Sequence, residues 1–446
     1  MTSSIHRRVG LQMDWRRFGV RSRPGGRRRY VGPGAAATLV VAVMVLVALS
    51  AWPALAAKTT VVHWQHFHEG RAKALQELVQ LFEAENPDIT IRPDFPPYEQ
   101  YFDKLLAALA TGTGPDVFQI PMEMAEQLLL SRFLAPVPAS VMTTREIEQS
   151  YLPWTVARFK KDGVYWGLPT DVQHLVLYIN NDLAREAGLD PSRPPATWDQ
   201  LLEQARRATR RDAQGNIVQA GLDTRYKWAV YMSLLFSHMT GPVVSPEERR
   251  ALYDSPEGIQ AWKFAEQLLR GPQAVDSPRF LTGQRKFEQK KAVFYINHPV
   301  ARSVIAAMAP DISYTVAPIP ALPGRPVTAP GHTWAYVVSS RTRSAEAAWR
   351  WVKFLASETA VRKWMEVAGD LPSLVRLAGD ASLFRTANER VIMESMQFVR
   401  PDDTVGNATP IRNDLWDAIA LTDTPVEQLV AQYIQRENAL IRQILR

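Results

Sequence analysis

Apolar residues recur at helical spacing through Leu75, Leu78, Val79 and Phe82, with Lys73, Glu77, Gln80 and Glu83 between them, which predicts an amphipathic helix. Asn86-Pro87 stops it, because proline disfavours the helical conformation in the residue before it. Ile89 and Ile91 then alternate as in a strand. Tyr98, Phe102, Leu105, Leu106 and Leu109 form the stripe of a second helix, which Gly112 ends, and Pro115-Asp116-Val117-Phe118 enters another strand. With a first strand over 60–65, the unit is βαβαβ.

The pattern continues downstream. Thr197 is placed to N-cap a helix, with Gln200 at the capping-box position. Residues 292–297 read as a buried strand followed by a turn, and 314–320 as a further strand. A strand is expected over 336–340 and a helix over 345–357, with Ala348, Trp351, Val352 and Leu355 on one face. Thr424 is the expected N-cap of a last amphipathic helix, with Pro425 tolerated at its first position.

Length changes this picture from one domain to two lobes, since 446 residues exceed what one hydrophobic core usually supports. The net charge of +7 comes from one end. Residues 1–57 hold nine arginines against Asp14, a net of +8, which leaves −1 for the rest of the chain. No nucleic-acid partner is expected on that balance. The same segment has an apolar run over 35–55 and an Ala54-Leu55-Ala56 small-residue site. That layout is a secretory signal, cleaved after Ala56 or Ala57, with an uncleaved membrane anchor as the alternative. The chain has no cysteine, so it holds no disulfide, thiolate metal site, cysteine nucleophile or lipid-modified cysteine.

Motifs for catalysis are missing or in the wrong context. Gly112 and Gly114 follow a helix, and Val117 takes the third glycine position of a dinucleotide loop. His68-Glu69 starts like a zincin helix, but Ala72 stands where the second histidine belongs. His63, His66 and His68 cluster beside Glu69 and read as a strand end rather than a metal site. No cofactor or metal is expected.

Phe82, Asn86-Pro87, Tyr98, Lys104-Leu105, Ala108-Leu109-Ala110, Gly112 and Pro115-Asp116-Val117 fill a pattern F-x-x-x-N/H-P, strand, Y-x-x-x-x-x-K-L-x-x-A-L-A-x-G-x-x-P-D-V. A second block has Gly163, Trp166-Gly167-Leu168-Pro169, Asn180, Asp182, residues 187–191 and Thr197-Trp198-Asp199; a third runs over 280–371. In these blocks the chain resembles the family 1 extracellular solute-binding proteins, the sugar receptors of ABC importers. The resemblance implies an α/β two-lobe periplasmic-binding-protein fold of type II, each lobe a mixed sheet flanked by helices. It implies lobe 1 over 58–170 plus about 316–370, and lobe 2 over 171–315 plus about 371–446. The first crossing falls near 168–173.

It also implies a monomeric receptor, periplasmic or extracellular, that closes around a carbohydrate and delivers it to a membrane permease, without catalysis. A neutral sugar needs aromatic plates for its C–H faces and polar side chains for its hydroxyls. The chain has 13 Trp and 13 Tyr. Gln65, His66 and Phe67 follow the first strand, and Met122-Glu123 follow the strand from Pro115, at the strand ends where α/β sheets bind ligands. Asp171 and Gln173 sit at the first crossing, where relatives use a carboxylate; a glutamine there donates as well as accepts. Tyr226 and Trp228 stand where relatives supply a stacking aromatic. Asn297 and His298 match an N-G-P turn with histidine for glycine, and Val300 replaces a tryptophan that Trp334, after Gly331, substitutes from the other lobe. Trp416 is a weaker candidate plate, and Asp116 reads as a cap after the glycine turn. These wall residues include no cation, which argues against the rival reading, a receptor for glycerol phosphate or a polyol-type solute. A secreted carbohydrate-active enzyme is the remaining rival, with Glu123 and Asp171 as its carboxylate pair.

Overall fold

The computed structural model describes residues 58–446; the Arg-rich start, the apolar run and the cleavage site lie outside the described residues. The first sheet has the strand order Ile89–Asp94, Thr59–Trp64, Val117–Pro121, Trp334–Val338, Leu168–Pro169. Its first three strands run parallel, and Trp334–Val338 pairs antiparallel to both of its neighbours. The helices Glu69–Glu85 and Tyr98–Thr111 connect the parallel strands. Gly112 closes the second of them at φ 74°, a left-handed conformation that glycine adopts without strain.

The second sheet runs Tyr314–Pro318, Val176–Asn180, Ala292–Asn297, Ile217–Asp223, Arg210–Arg211. It too is mixed, with one parallel pairing, between Ile217–Asp223 and Ala292–Asn297. Both sheets are covered on both faces, and the period-two alternation of strand residues sorts the side chains between them. In the second sheet Leu177, Ile179, Phe294 and Ile296 join the core around Trp198 and Trp262. Val176, Tyr178, Tyr295 and Val316 face the opposite way. In the first, Val117 packs with Phe82 and Trp351 while Phe118 packs with Tyr101 and Leu105. The architecture is an α/β two-lobe fold with a mixed sheet in each lobe.

Several sequence expectations shift. Tyr314–Pro318 pairs along its whole length with Val176–Asn180, so it stays in the second sheet and the chain returns to the first only beyond it, not at about 316. Residues 329–332 form a strand of a separate three-stranded sheet, Val399–Pro401, Ala329–His332, Gln173–His174, that lies where the chain passes between lobes. A bridge between Val172 and Leu371 adds a third passing segment. The strand expected over 336–340 begins at Trp334 and ends at Val338. Thr197 caps its helix with Gln200 in a full capping box. Thr424 caps nothing, because the last helix starts at Val426 with Pro425 in the capping place. Among the described residues, no helix is long and apolar enough to cross a membrane.

Candidate functional site

Loops at the ends of strands from both sheets enclose a cavity of about 460 Å³, a size typical of sites for small organic ligands. From the first sheet, the chain past Trp64 supplies His66 and Phe67, and the chain past Pro121 supplies Glu123. From the second, Arg225, Tyr226 and Trp228 follow the strand ending at Asp223, while Asn297 and His298 end the strand that begins at Ala292. Gln173 and His332 enter from the three-stranded connecting sheet, and Trp334 from the first strand beyond it. The cavity thus draws on both lobes and on the passage between them.

Two aromatic groups make up much of its wall. Tyr226 and Trp228 stack at 5.9 Å with a 25° interplanar angle, and His298 leans on Trp228 at 5.4 Å. On the other side Trp334 lies 4.3 Å from the His66 ring and stacks on Phe102 at 6.2 Å. His332 meets both tryptophans edge-on, 6.1 Å from Trp228 and 5.6 Å from Trp334.

The histidines differ in charge. Burial, with Arg71 and the neighbouring histidines His68 and His332, holds His66 well below the usual histidine range. Burial does the same to His298, and pushes His68 down to about 3. His298 Nδ1 lies 3.2 Å from the His174 carbonyl, so in the neutral ring Nε2 accepts from the Tyr226 hydroxyl at 3.1 Å. His332 is the exception. Burial opposes its charge, yet Glu123, 3.0 Å from its Nε2, together with Asp402 and Asp171, holds its pKa above the usual value.

Beneath the cavity lies a buried polar cluster. Arg71 donates to Asp171 and, at 3.0 and 2.8 Å, to Asp370. Gln173 Nε2 donates to both carboxylates, at 2.8 Å to Asp171 and 2.7 Å to Asp370. Two carboxylates therefore share one guanidinium, and burial beside Asp171 raises the Asp370 pKa above the ordinary carboxylate range.

Nine of the twelve candidate residues line the cavity: His66, Phe67, Glu123, Gln173, Tyr226, Trp228, Asn297, His298 and Trp334. Gln65, Asp171 and Gly331 do not. Gln65 is fully buried and accepts from the Tyr336 hydroxyl at 2.6 Å. Asp171 is taken up by Arg71, by the Thr170 hydroxyl and by the Trp334 amide. Gly331 answers a packing need, because a Cβ there would stand 2.2 Å from Val399 Cγ1. Trp416 is 1% exposed, in the core of the second lobe. Asp116 accepts from the Val62 amide on the neighbouring strand and from Thr342, so it ties strands together rather than capping the glycine turn.

The expected absence of cations from the wall is wrong: Arg71, Arg225, Lys227 and Arg285 all line the cavity. Arg71 has its two aspartates, and Lys227 pairs with Asp417 at 2.6 Å. Acidic groups on the wall, Glu99, Glu123 and Glu288, accompany them. Tyr98, Tyr295 and His332 are further wall residues that sequence reasoning passed over. Among the described residues, no group of three or more His, Asp or Glu side chains is placed to hold a metal ion; His63, buried, instead accepts from the Trp351 indole at 3.0 Å.

The family of bacterial extracellular solute-binding proteins matches residues 68–362. A putative binding protein of Brucella abortus (strain 2308) is 24% identical over 307 residues, 67% of this chain and 72% of the relative. The sn-glycerol-3-phosphate-binding periplasmic protein UgpB of Escherichia coli (strain K12) is 33% identical over 156 residues, 33% of this chain and 35% of its own length. Among solved structures, the substrate-binding protein Lmo0181 of Listeria monocytogenes in complex with cycloalternan superposes with a TM-score of 0.75 at 19% identity. The alignment covers 86% of this chain and 99% of that one.

Proposed function

Because the chain belongs to the bacterial extracellular solute-binding proteins, we propose that it captures a neutral mono- or oligosaccharide in the cavity between its lobes and hands it to the permease of an ABC importer. The observation that carries this reading is the pair of aromatic groups, Trp228 with Tyr226 and Trp334 with His66, brought to one cavity from opposite lobes. Such plates suit the C–H faces of a sugar ring, and the polar groups between them suit its hydroxyls. The cycloalternan-bound neighbour gives the same reading independent support.

The mechanism is closure about the connecting segments. Plates on different lobes grip one ligand together in the closed form alone, so a ligand shifts the population towards it. The lobes divide as 58–170 with 334–370, and 174–318 with 371–446, the strand at 329–332 belonging to the hinge. The receptor works as a monomer, outside the cytoplasm, after removal of its amino-terminal signal, and it catalyses no reaction. X-ray scattering tests closure: a bound sugar should reduce the radius of gyration, and an unchanged value at saturation would refute the hinge.

A second reading, capture of a glycerol-phosphate-type solute, draws support from the likeness to UgpB over one third of the chain and from Arg225 and Arg285 on the wall. Against it stands Glu288, buried with an unpartnered carboxylate oxygen, which would repel a phosphate placed beside Arg225.

A further inference from the structure

On the second-lobe side of the cavity three polar side chains converge. Parallel pairing sets Asp223 opposite Tyr295, which brings Arg225, two residues further on, beside the Tyr295 hydroxyl. Arg225 Nη2 donates to that hydroxyl at 2.9 Å, and Asn297 Nδ2, two residues along the same strand, donates to it as well. With both acceptor sites of the phenol oxygen filled, its own proton is left to donate elsewhere. Asp223 also anchors the turn opposite, because its Oδ2 accepts from the Phe287 amide at 3.2 Å. That turn carries Glu288 to the cavity wall.

Glu288 is 7% exposed and its Oε2 has no hydrogen-bond partner; Arg225 Nε is likewise buried and unpartnered. The two do not pair with each other at salt-bridge distance. A buried carboxylate oxygen without a donor is unfavourable by itself, and a ligand that supplies the donor recovers that energy on binding. The corner therefore offers one charged acceptor and two donors, Arg225 Nε and the Tyr295 hydroxyl, with a net charge of zero. A vicinal diol meets all of these: one hydroxyl donates to Glu288 while its neighbour accepts from Arg225 or Tyr295. A phosphate dianion, or the carboxylate group of a uronate, has no proton to donate; placed at this corner it would leave Glu288 unpaired and face its charge.

We propose that Arg225, Glu288 and Tyr295 form a hydroxyl-reading subsite that fixes two adjacent hydroxyls of the captured sugar and excludes acidic substituents at that end. The proposal rests on the carbohydrate reading above and deepens it.

The test is calorimetric titration of the full chain with D-glucose, D-tagatose, maltose, maltotriose and mannobiose. The tightest binder is then titrated again as its monodeoxy analogues and against the variants Glu288→Gln, Arg225→Met and Trp228→Ala. Loss of each of two adjacent hydroxyls should weaken binding by about tenfold, as should Glu288→Gln. In Glu288→Gln the penalty for one of those two deoxy positions should shrink to about twofold or less. The deoxy series uses the unaltered protein, so it decides the matter even where a variant fails to fold. If a sugar binds and Trp228→Ala weakens it, but no adjacent pair of hydroxyls matters, the subsite is overturned and the receptor reading stands. If none of the five sugars binds, the carbohydrate reading falls and the subsite with it.

Discussion

Gln173 Nε2 lies 2.7 Å from Asp370 Oδ1, a bond that joins two of the segments passing between the lobes. The same amide nitrogen donates to Asp171, so both of its protons are committed, and two carboxylates fix which way the amide points. Its carbonyl Oε1 is buried without a partner, and Gln173 lines the cavity. A glutamine that the sequence presents as both donor and acceptor has, in place, only its acceptor left uncommitted.

The cluster beneath the cavity depends on Arg71. Arg71→Met would leave Asp171 and Asp370 buried without their cation, and should destabilise the chain by about 3–5 kcal/mol in urea titrations at pH 8. The loss should be smaller at pH 5. Asp370 already has a raised pKa when folded, and such a carboxyl loses its stabilising protonation as pH rises through the folded value. Removing Arg71, which pulls that value down, extends the loss to higher pH.

His332 should give the opposite kind of signature to an ordinary buried histidine. Its pKa is raised by Glu123 when folded, so its pairing stabilises fully below the unfolded value near 6.5 and is lost as pH rises through the folded one. His332→Gln should flatten the stability profile above pH 6.5. An unchanged slope there would show that the Glu123 pairing carries no charge.

Much of the scaffold was legible because its signals are local. Helix stripes, Asn86-Pro87, the Gly112 stop and the Thr197–Gln200 capping box each lie within a few residues of what they specify. The plates Tyr226, Trp228 and Trp334 were legible through the family resemblance, while His66 and Glu123 were legible because they follow strand ends. Arg225 and Glu288 were not, since strand register and a turn anchored by Asp223 bring them together. Gly331 misled for a similar reason: its need for a missing Cβ is set by Val399, on a strand that arrives much later in the chain.

Gly331→Ala tests that correction. The added methyl would overlap Val399, and forcing the strands apart should cost about 1–3 kcal/mol in thermal or denaturant unfolding. A variant as stable as the parent would show that packing against Val399 does not require glycine there.

Two tryptophans separate fold from function. Trp416→Ala empties part of the second-lobe core and should cost about 3–5 kcal/mol of stability. Trp228→Ala removes a plate from the cavity wall and should weaken sugar binding about tenfold with a much smaller change in unfolding. Calorimetry and melting curves on both variants check the contrast.

Capture of a neutral sugar is tested most directly by thermal unfolding of the full chain against monosaccharides, oligosaccharides, polyols, sugar phosphates and glycerol 3-phosphate. At about 100 times its dissociation constant, at least one neutral sugar should stabilise the protein by about 2.7 kcal/mol. No shift with any neutral sugar, or a shift confined to the phosphorylated solutes, would contradict the account.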